Sequence, residues 1–302
     1  MIHSLQLPFP RGFHFEHTVY SHGWCALLPY RLDRTALQLR YPVQLSTTRI
    51  AELRIGPPRQ SRPAVTVEVK GRLSEDHRAQ LTRIASAMLH LDLDLQPFYR
   101  MSREDSRFSW MAQNRAGRML RAPSFFEDAV KMLLTTNCSW SLTETMTSRL
   151  CETFGTVSPF GGHCFPVPEA IADSSEDVLR REVKLGYRAP YLLEMVRRIV
   201  RGDLSIEDFR GSSLPAAELY RELRGIKGIG DYAAGNLLKL LGRFDYLGID
   251  SWCRAKYAEM YHNGNPVPDS EIVNFYAPFN EWRGLVMWLD VTRHWYGEKF
   301  PF

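Results

Sequence analysis

The sequence predicts an α+β protein in which a β-rich N-terminal domain, residues 1–95, precedes an all-helical region, residues 96–302. Apolar and polar residues alternate with period two at 35–45 and 63–73, which is typical of half-buried strands. Further along the chain, apolar residues recur at three- and four-residue spacing, which is typical of amphipathic helices. A glycine cluster at 225–230 separates two of these helical segments.

Composition and charge set wide limits. The chain has 302 residues, of which 44% are hydrophobic, enough for one large domain or for several smaller ones. The formal net charge of +4 and the isoelectric point of about 8.8 are compatible with a nucleic-acid partner, but an enzyme with a neutral substrate would look the same. The five cysteines are scattered, and they form no C-x-x-C pair, so they predict neither a disulfide framework nor a zinc site. The N-terminus lacks the apolar core of a signal peptide, and no run of about 18 apolar residues occurs, so we expect a cytoplasmic protein with no membrane segment.

The N-terminal region is predicted to consist of strands followed by a helix. Besides 35–45 and 63–73, residues 13–17 alternate as Phe, His, Phe, Glu, His and predict a further strand. Gly-Pro-Pro at 56–58 marks a turn between the two longer strands. Apolar residues on one helical face predict a helix over 75–91.

Helices account for the rest of the predicted fold. An arginine- and aromatic-rich connector, 97–122, leads into a helix for which Ser124 is the expected N-cap, and Glu127 is expected to complete a capping box. Further helices are predicted over 141–154, 169–183, 185–200 and 280–295.

The stretch 223–254 carries the strongest functional pattern. Gly225, Gly228 and Gly230 allow a turn too tight for side chains, and this turn opens directly into a helix. The N–H groups at such a helix start favour an anion such as a phosphate. A loop over 244–249 then leads to Asp250, ahead of another helical segment. A glycine cluster can also be only a helix end and a turn, and an aspartate before a helix can be only an N-cap.

Order and spacing in this stretch resemble the helix-hairpin-helix (HhH-GPD) DNA glycosylase superfamily. I226-K227-G228-I229-G230 is similar to the family hairpin L-P-G-I-G, and Asp250 falls on the family's catalytic aspartate. The hairpin is identified over 223–235 and the loop of the catalytic aspartate over 244–250. The N-terminal pattern resembles the β-domain of the three-domain alkylpurine and 8-oxoguanine glycosylases, and L185-G-Y-R-A-P-Y resembles the 8-oxoguanine branch.

The resemblance implies a partner, double-stranded DNA with a damaged base, and a monomer that acts on it, associated with the nucleoid if the source is bacterial. It implies that Asp250 is catalytic, because an ionised carboxylate stabilises the positive charge that develops on the deoxyribose. The implied contacts to DNA are Gly225, Lys227, Gly228, Ile229, Gly230 and, as a residue inserted where the base has flipped out, Asn137. The implied base pocket comprises Tyr232, Asn236, Met287 and Trp288.

Cofactor expectations also come from the resemblance. Main-chain carbonyls of Arg224, Ile226 and Ile229 are expected to hold an alkali cation, Na⁺ or K⁺, when DNA is bound. Some relatives carry a four-cysteine iron–sulfur loop after the catalytic aspartate. Only Cys253 lies in that region here, so we expect no cluster and no other cofactor.

The expected activity is monofunctional release of a damaged purine, leaving an abasic site. Bifunctional relatives place a Schiff-base lysine where this chain has Tyr232, and a phenol cannot form that adduct. An aromatic residue there favours alkylated bases, whereas Asn137 and the L-G-Y-R-A string favour oxidised purines. We expect an alkylated purine slightly ahead of an oxidised one. A DNA-binding module that has lost turnover is the alternative from another functional class.

Overall fold

The computed structural model describes residues 2–57, 64–70, 73–297 and 300–301. About 54% of the chain is helical, and the N-terminal part carries a small antiparallel sheet. The predicted α+β class is therefore confirmed. The strands are β1 Ile2–Pro8, β2 Arg31–Asp33, β3 Gln38–Ser46, β4 Arg49–Ile55 and β5 Ala64–Lys70. The helices are α1 Phe15–Val19, α2 Glu75–Met88, α3 Gln96–Glu104, α4 Ser109–Gln113, α5 Phe125–Leu134, α6 Trp140–Phe154, α7 Pro168–Ala172, α8 Glu176–Arg181, α9 Ala189–Val200, α10 Ala216–Arg224, α11 Asp231–Leu240, α12 Ser251–Tyr261, α13 Asp269–Tyr276, α14 Arg283–Val291 and α15 Arg293–Gly297.

The strands form one sheet in the order β1-β5-β4-β3-β2, and every pair of neighbours is antiparallel. The alternation at 35–45 corresponds to β3, where Leu39, Tyr41 and Val43 are buried on one face. The predicted strand at 63–73 corresponds to β5, and its positions 63, 71 and 72 lie outside the described residues. So does Pro58 of the predicted turn. The helix predicted over 75–91 is α2.

The strand predicted at 13–17 is wrong, because this segment forms the short helix α1. His14 caps it, since its ring nitrogen Nδ1 accepts a hydrogen bond from the His17 N–H at 3.3 Å. Phe15, Thr18 and Val19 are buried together, at the three- and four-residue spacing of a helix. The alternation at 13–17 is too short to distinguish the two-residue period of a strand from the 3.6-residue period of a helix.

The chain divides into two compact units. The first comprises the residues up to Leu93 together with Arg118–Asp208, and the second comprises Asp94–Gly117 together with Phe209–Pro301. One of the divisions, between Leu93 and Asp94, lies close to the predicted domain boundary at residue 95, which stays a prediction. Residues 118–208 join the sheet in the first unit, where Tyr41 of β3 donates to the Glu127 carboxylate of α5 at 2.5 Å.

The start of α5 departs from its predicted capping box. Ser124 does accept a hydrogen bond from the Glu127 N–H, at 3.2 Å. The Glu127 carboxylate, however, turns into the core of the first unit, and the Glu207 carboxylate accepts the N–H groups of Phe125 and Phe126, both at 2.9 Å. A tertiary partner thus satisfies the helix start in place of the local one.

Two of the predicted helices are interrupted. The segment 169–183 contains α7 and α8, because Ser175 caps a new helix by accepting the Val178 N–H at 3.3 Å. The segment 280–295 contains the end of a 3₁₀ helix, α14 and α15, and Asn280 adopts a non-helical backbone with φ of 50°. Within the described residues, no helix combines the length and apolarity required to cross a bilayer.

Candidate functional site

The glycine cluster forms a hairpin between α10 and α11 in the second unit. Ile226 and Ile229 point inward, exposed by only 2% and 3%, and the Ile229 N–H donates to the Ile226 carbonyl at 3.0 Å. Among the three glycines of the cluster, Gly228 alone needs the left-handed backbone, with φ of 89°. Gly225 ends α10 at φ of −71°, and Gly230 precedes α11 at φ of −88°.

The outer face of the hairpin is open. A Cβ atom added to Gly230 would meet nothing within 4 Å, and Lys227 is exposed. The N-cap residue of α11 is Gly230, which has no side chain to accept the N–H groups of the first turn. Such a helix start beside an exposed lysine is a suitable place for an anion. The acidic residue nearest to it, Asp231, is engaged by the hydroxyl of Tyr220 at 2.5 Å and by the guanidinium of Arg224.

Asp250 stands at the start of α12, half-buried at the end of the 244–250 loop. Its Oδ1 atom accepts the Cys253 N–H at 2.7 Å, so Asp250 is the N-cap of α12. Burial, followed by the charge of Asp250, raises the pKa of the Cys253 thiol. This cap fixes the position of the carboxylate and leaves it at the protein surface.

Helix α11 holds the 244–250 loop from one side. A Cβ atom on Gly235 would lie 2.9 Å from the Gly248 backbone, so a larger residue in mid-helix would push the loop away. Asn236 donates to the carbonyls of Tyr232 and Gly248, at 2.9 and 3.2 Å. Lys239 is buried, and its ammonium donates to the Leu247 carbonyl and, at 3.1 Å, to Asn236 Oδ1.

The start of α14 holds the same loop from another side. The Gly284 N–H donates to the Phe244 carbonyl at 2.8 Å, and a Cβ atom at Gly284 would overlap the Tyr246 carbonyl oxygen. The Arg283 guanidinium donates to the Asp245 carbonyl. Contacts from α11 and from α14 to the backbone of the loop therefore fix the segment that leads into Asp250.

A cleft of about 350 Å³ lies in the second unit between the loop and the helices α10 to α13. Tyr232 lines it, as do the stacked rings of Tyr220 and Tyr246, whose centroids are 4.0 Å apart. The other three predicted pocket residues, Asn236, Met287 and Trp288, are not among its lining residues.

These three residues have other surroundings. Asn236 makes the loop contacts described above, and Met287 is only 1% exposed. Trp288 packs against Trp252 and Trp295, at 6.2 and 5.7 Å between ring centroids. Their role at a flipped base, like that of Tyr232, stays a prediction.

Asn137 belongs to the first unit, two residues after the C-cap of α5. It is exposed and has a left-handed backbone with φ of 47°, which asparagine tolerates better than most residues. Its side-chain amide donates to the Tyr187 hydroxyl at 3.3 Å, and Arg188 of the same L-G-Y-R-A string donates to the Thr136 carbonyl. This string therefore shapes the turn that presents Asn137.

Comparison with known proteins points to one superfamily. Residues 130–276, which include the hairpin, the loop and Asp250, match the model of the HhH-GPD superfamily of base excision DNA repair proteins. Over this region the chain is similar to the HhH-GPD superfamily. It is 26% identical over 212 residues to a DNA-3-methyladenine glycosylase of Bacillus subtilis, an alignment that covers 68% of this chain and 69% of the relative.

Two solved structures share the fold of this protein at low identity. A 3-methyladenine DNA glycosylase from Archaeoglobus fulgidus superimposes with a TM-score of 0.73 and 18% identity, covering 97% of this chain and 99% of the other. An 8-oxoguanine glycosylase/lyase from Clostridium acetobutylicum, in complex with double-stranded DNA containing cytosine opposite 8-oxoguanine, superimposes with a TM-score of 0.70 and 17% identity, covering 95% and 93%.

The sequence interpretation missed the residues that hold the 244–250 loop. Gly235 lies inside α11, where glycine destabilises a helix by about 1 kcal/mol relative to alanine. A glycine retained at such a position indicates that another backbone segment comes close to the helix. Lys239 gave no such signal. Within the described ranges, no group of three or more His, Cys, Asp or Glu side chains is arranged to hold a metal ion.

Proposed function

We propose that this protein is a monofunctional DNA glycosylase that hydrolyses the bond between a damaged purine and its deoxyribose. One observation carries the proposal: Asp250 is held at the start of α12 by a loop that is fixed on two sides, with its carboxylate half-buried at the surface. An ionised carboxylate at this place would stabilise the oxocarbenium-like transition state and orient the attacking water.

The hairpin would bind the DNA backbone. Its outer face combines the start of α11, the exposed Lys227 and open space above Gly230, so a phosphate can approach the main chain closely. Such a contact is independent of base sequence. It suits an enzyme that must take its target base out of the stack.

The donor set of the hairpin fits an alkali cation. Carbonyl oxygens are hard ligands, and the Ile226 carbonyl, which accepts one hydrogen bond from the Ile229 N–H, retains a second lone pair. The carbonyls of Arg224, Ile226 and Ile229 would hold the cation, which would supply positive charge toward a DNA phosphate. The chain itself would contribute the N–H groups at the start of α11.

Alkylated purines are the substrate class we favour. Tyr232 lines the cleft of the second unit, and electron-poor alkylated bases stack well on aromatic rings. The Bacillus subtilis relative, named a 3-methyladenine glycosylase, supports the same class. The arrangement of Tyr187 and Arg188 around the turn at Asn137 favours the second candidate, an oxidised purine, because this L-G-Y-R-A string resembles the 8-oxoguanine branch.

Single-turnover base release on duplexes with 3-methyladenine, hypoxanthine, uracil or 8-oxoguanine tests the proposal. Asp250→Asn keeps the shape and the capping oxygen but removes the charge, so we expect excision to fall by about 10²- to 10⁴-fold while duplex affinity changes only a few-fold. Asp177→Asn, in the first turn of α8 in the first unit, removes the same charge from an exposed position and is the matched control. Normal excision by Asp250→Asn would remove this residue from the chemistry, and binding without release on every lesion would favour a non-catalytic module.

Strand cleavage separates monofunctional from bifunctional chemistry. We expect an abasic site that breaks only after hot alkali, and no covalent adduct with borohydride, because Tyr232 stands where a Schiff-base lysine would be needed. Lys256, another lysine near Asp250 in sequence, is occupied by an ion pair with Glu259 at 2.8 Å. Efficient trapping, or strand breaks before alkali, would overturn the monofunctional assignment.

A further inference from the structure

Lys239 is a buried charge whose contacts converge on the loop of the proposed catalytic aspartate. It lies in α11 and is only 1% exposed. Its ammonium donates to the carbonyl of Leu247, three residues before Asp250, and to Asn236 Oδ1 at 3.1 Å. Asn236 in turn donates to the Gly248 carbonyl at 3.2 Å.

The loop is shaped to admit this ammonium. Gly248 has a left-handed backbone with φ of 65°, and a Cβ atom there would lie 3.0 Å from Lys239 Nζ and 2.8 Å from Asn236 Nδ2. A side chain at 248 would therefore press on the amine and the amide beneath it. Glycine at this position leaves room for the contact between the loop and Lys239.

Charge adds to this geometry. The titratable groups that act on Lys239 are Asp250, at the end of the loop, and Cys253, in α12. A buried ammonium without a carboxylate in direct contact is costly, and core contacts alone could be made by methionine or leucine at the same place. Its location behind the loop gives the charge a use, because it attracts the Asp250 carboxylate.

We infer that Lys239 is a positioning residue for base release: its ammonium ties the 244–250 loop to α11 and supplies positive charge behind the Asp250 carboxylate. The inference rests on the proposed glycosylase function and deepens it. Lys239 does not touch the substrate. It acts through the backbone of Leu247 and Gly248 and through its field at Asp250.

The inference predicts a pH dependence with a defined sign. Burial lowers the pKa of Lys239 from 10.5 to about 8, partly opposed by the negative charge of Asp250. The ammonium is therefore present at neutral pH and is lost as pH rises through about 8. Between about 8 and 10.5 the unfolded chain binds the proton that the folded chain has released, so this group favours the folded state more as pH rises. Loss of excision in that range could not come from unfolding linked to Lys239.

Two substitutions at this position separate charge from packing. Lys239→Met keeps the length and removes the charge and the donors, and we expect single-turnover release on the order of 10²-fold slower, with no alkaline decline near pH 8. Lys239→Arg keeps the charge at high pH, so release should recover at least in part and its alkaline decline should move upward. Lys256→Met removes a half-buried lysine of the same unit and should match the wild type.

Amide hydrogen exchange over residues 244–250 provides a readout that needs no substrate. At matched pH we expect faster exchange in Lys239→Met than in the wild type, with Lys239→Arg in between. If the wild type releases no base but exchange is faster in Lys239→Met, the proposed function fails, while the contact between Lys239 and the loop is supported. If the wild type is active and both rate and exchange are unchanged in Lys239→Met, the inference fails and the function stands.

Three further outcomes would overturn the inference. One is an alkaline decline near pH 8 that persists in Lys239→Met. Another is a Lys239→Arg protein that folds and is as slow as Lys239→Met. A third is a borohydride adduct that is lost on changing Lys239 but not Lys256, which would make Lys239 the attacking amine. If Lys239→Met does not fold, the alkaline decline in Lys239→Arg decides: an upward shift supports the inference, and an unmoved decline contradicts it.

Discussion

Two helices of this protein each bury a lysine, and they satisfy it in different ways. In α5, Lys131 is fully buried and lies 2.6 Å from the Glu127 carboxylate, with the Tyr30 ring centroid at 4.8 Å. In α11, Lys239 is almost fully buried, and among the described residues its ammonium donates only to neutral oxygens, the Leu247 carbonyl and Asn236 Oδ1. The first lysine is neutralised on contact, and the second is not.

The difference separates a charge that stabilises the fold from one with a proposed function. Glu127 accepts hydrogen bonds from the Lys131 ammonium and from the Tyr41 hydroxyl, so this charge pair is satisfied inside the first unit. Burial raises the pKa of Glu127, although Lys131 opposes the shift. The carboxylate that acts on Lys239 is that of Asp250, which is half-buried and is the proposed catalytic residue. Perturbed groups of this second kind tend to mark functional sites.

Glu127→Gln in α5 should give the largest effect on stability. It leaves Lys131 buried without its countercharge, and breaking such a pair costs about 3–5 kcal/mol. Chemical denaturation measures the loss, while excision by the protein that remains folded should be unchanged. Glu176→Gln removes one partner of the exposed Arg180–Glu176 pair and should cost no more than about 1 kcal/mol. A loss of excision without a loss of stability in Glu127→Gln would erase the distinction between the two helices.

Compared with Glu127→Gln, Gly248→Ala should reduce the free energy of unfolding less and should slow base release more. Left-handed backbone costs a non-glycine residue about 1–2 kcal/mol, and the new methyl group would press on Lys239 and Asn236. Gly264→Ala is the matched control, since Gly264 has φ of 82° and open space around its Cβ position. We expect similar losses of stability from backbone strain, with base release reduced on the order of 10-fold or more only in Gly248→Ala. Equal release by both variants would show that the loop tolerates displacement.

The same comparison explains how far sequence could predict the molecule. Periodicity located β3, α2, α5 and α11, and the hairpin spacing located Gly228 and Asp250, because these signals are local. Glu127 looked like a capping-box residue, but its partner Tyr41 lies 86 positions away. The contact of Lys239 with Leu247 spans only 8 positions, yet it depends on a loop turning back over its helix. Neither partner could be read from spacing alone.

Gly230→Ala should change the stability of the free protein least. It separates an effect on packing from an effect on DNA binding. A Cβ atom at this position meets nothing within 4 Å, and its φ of −88° is open to any residue. The stability change should therefore stay within about 1 kcal/mol, the scale of an N-cap exchange. A phosphate that approaches the start of α11 would meet the added methyl group. We expect affinity for damaged and undamaged duplex to fall alike, about 10-fold, or about 1.4 kcal/mol.

Gly211→Ala provides the control for that measurement, because its Cβ position is also open and its backbone is not left-handed. It should leave duplex binding unchanged. Fluorescence anisotropy with matched duplexes at fixed salt compares the two variants, and fixed salt matters because phosphate contacts weaken steeply as salt rises. If Gly230→Ala weakens only the damaged duplex, the hairpin acts on the lesion and not on the backbone. Unchanged affinity for both duplexes would place the phosphate contact away from α11. An equal loss of affinity for both duplexes would support a hairpin that binds the DNA backbone whatever the base sequence. The proposed role of the loop over Lys239 in base release would then be separate from this contact.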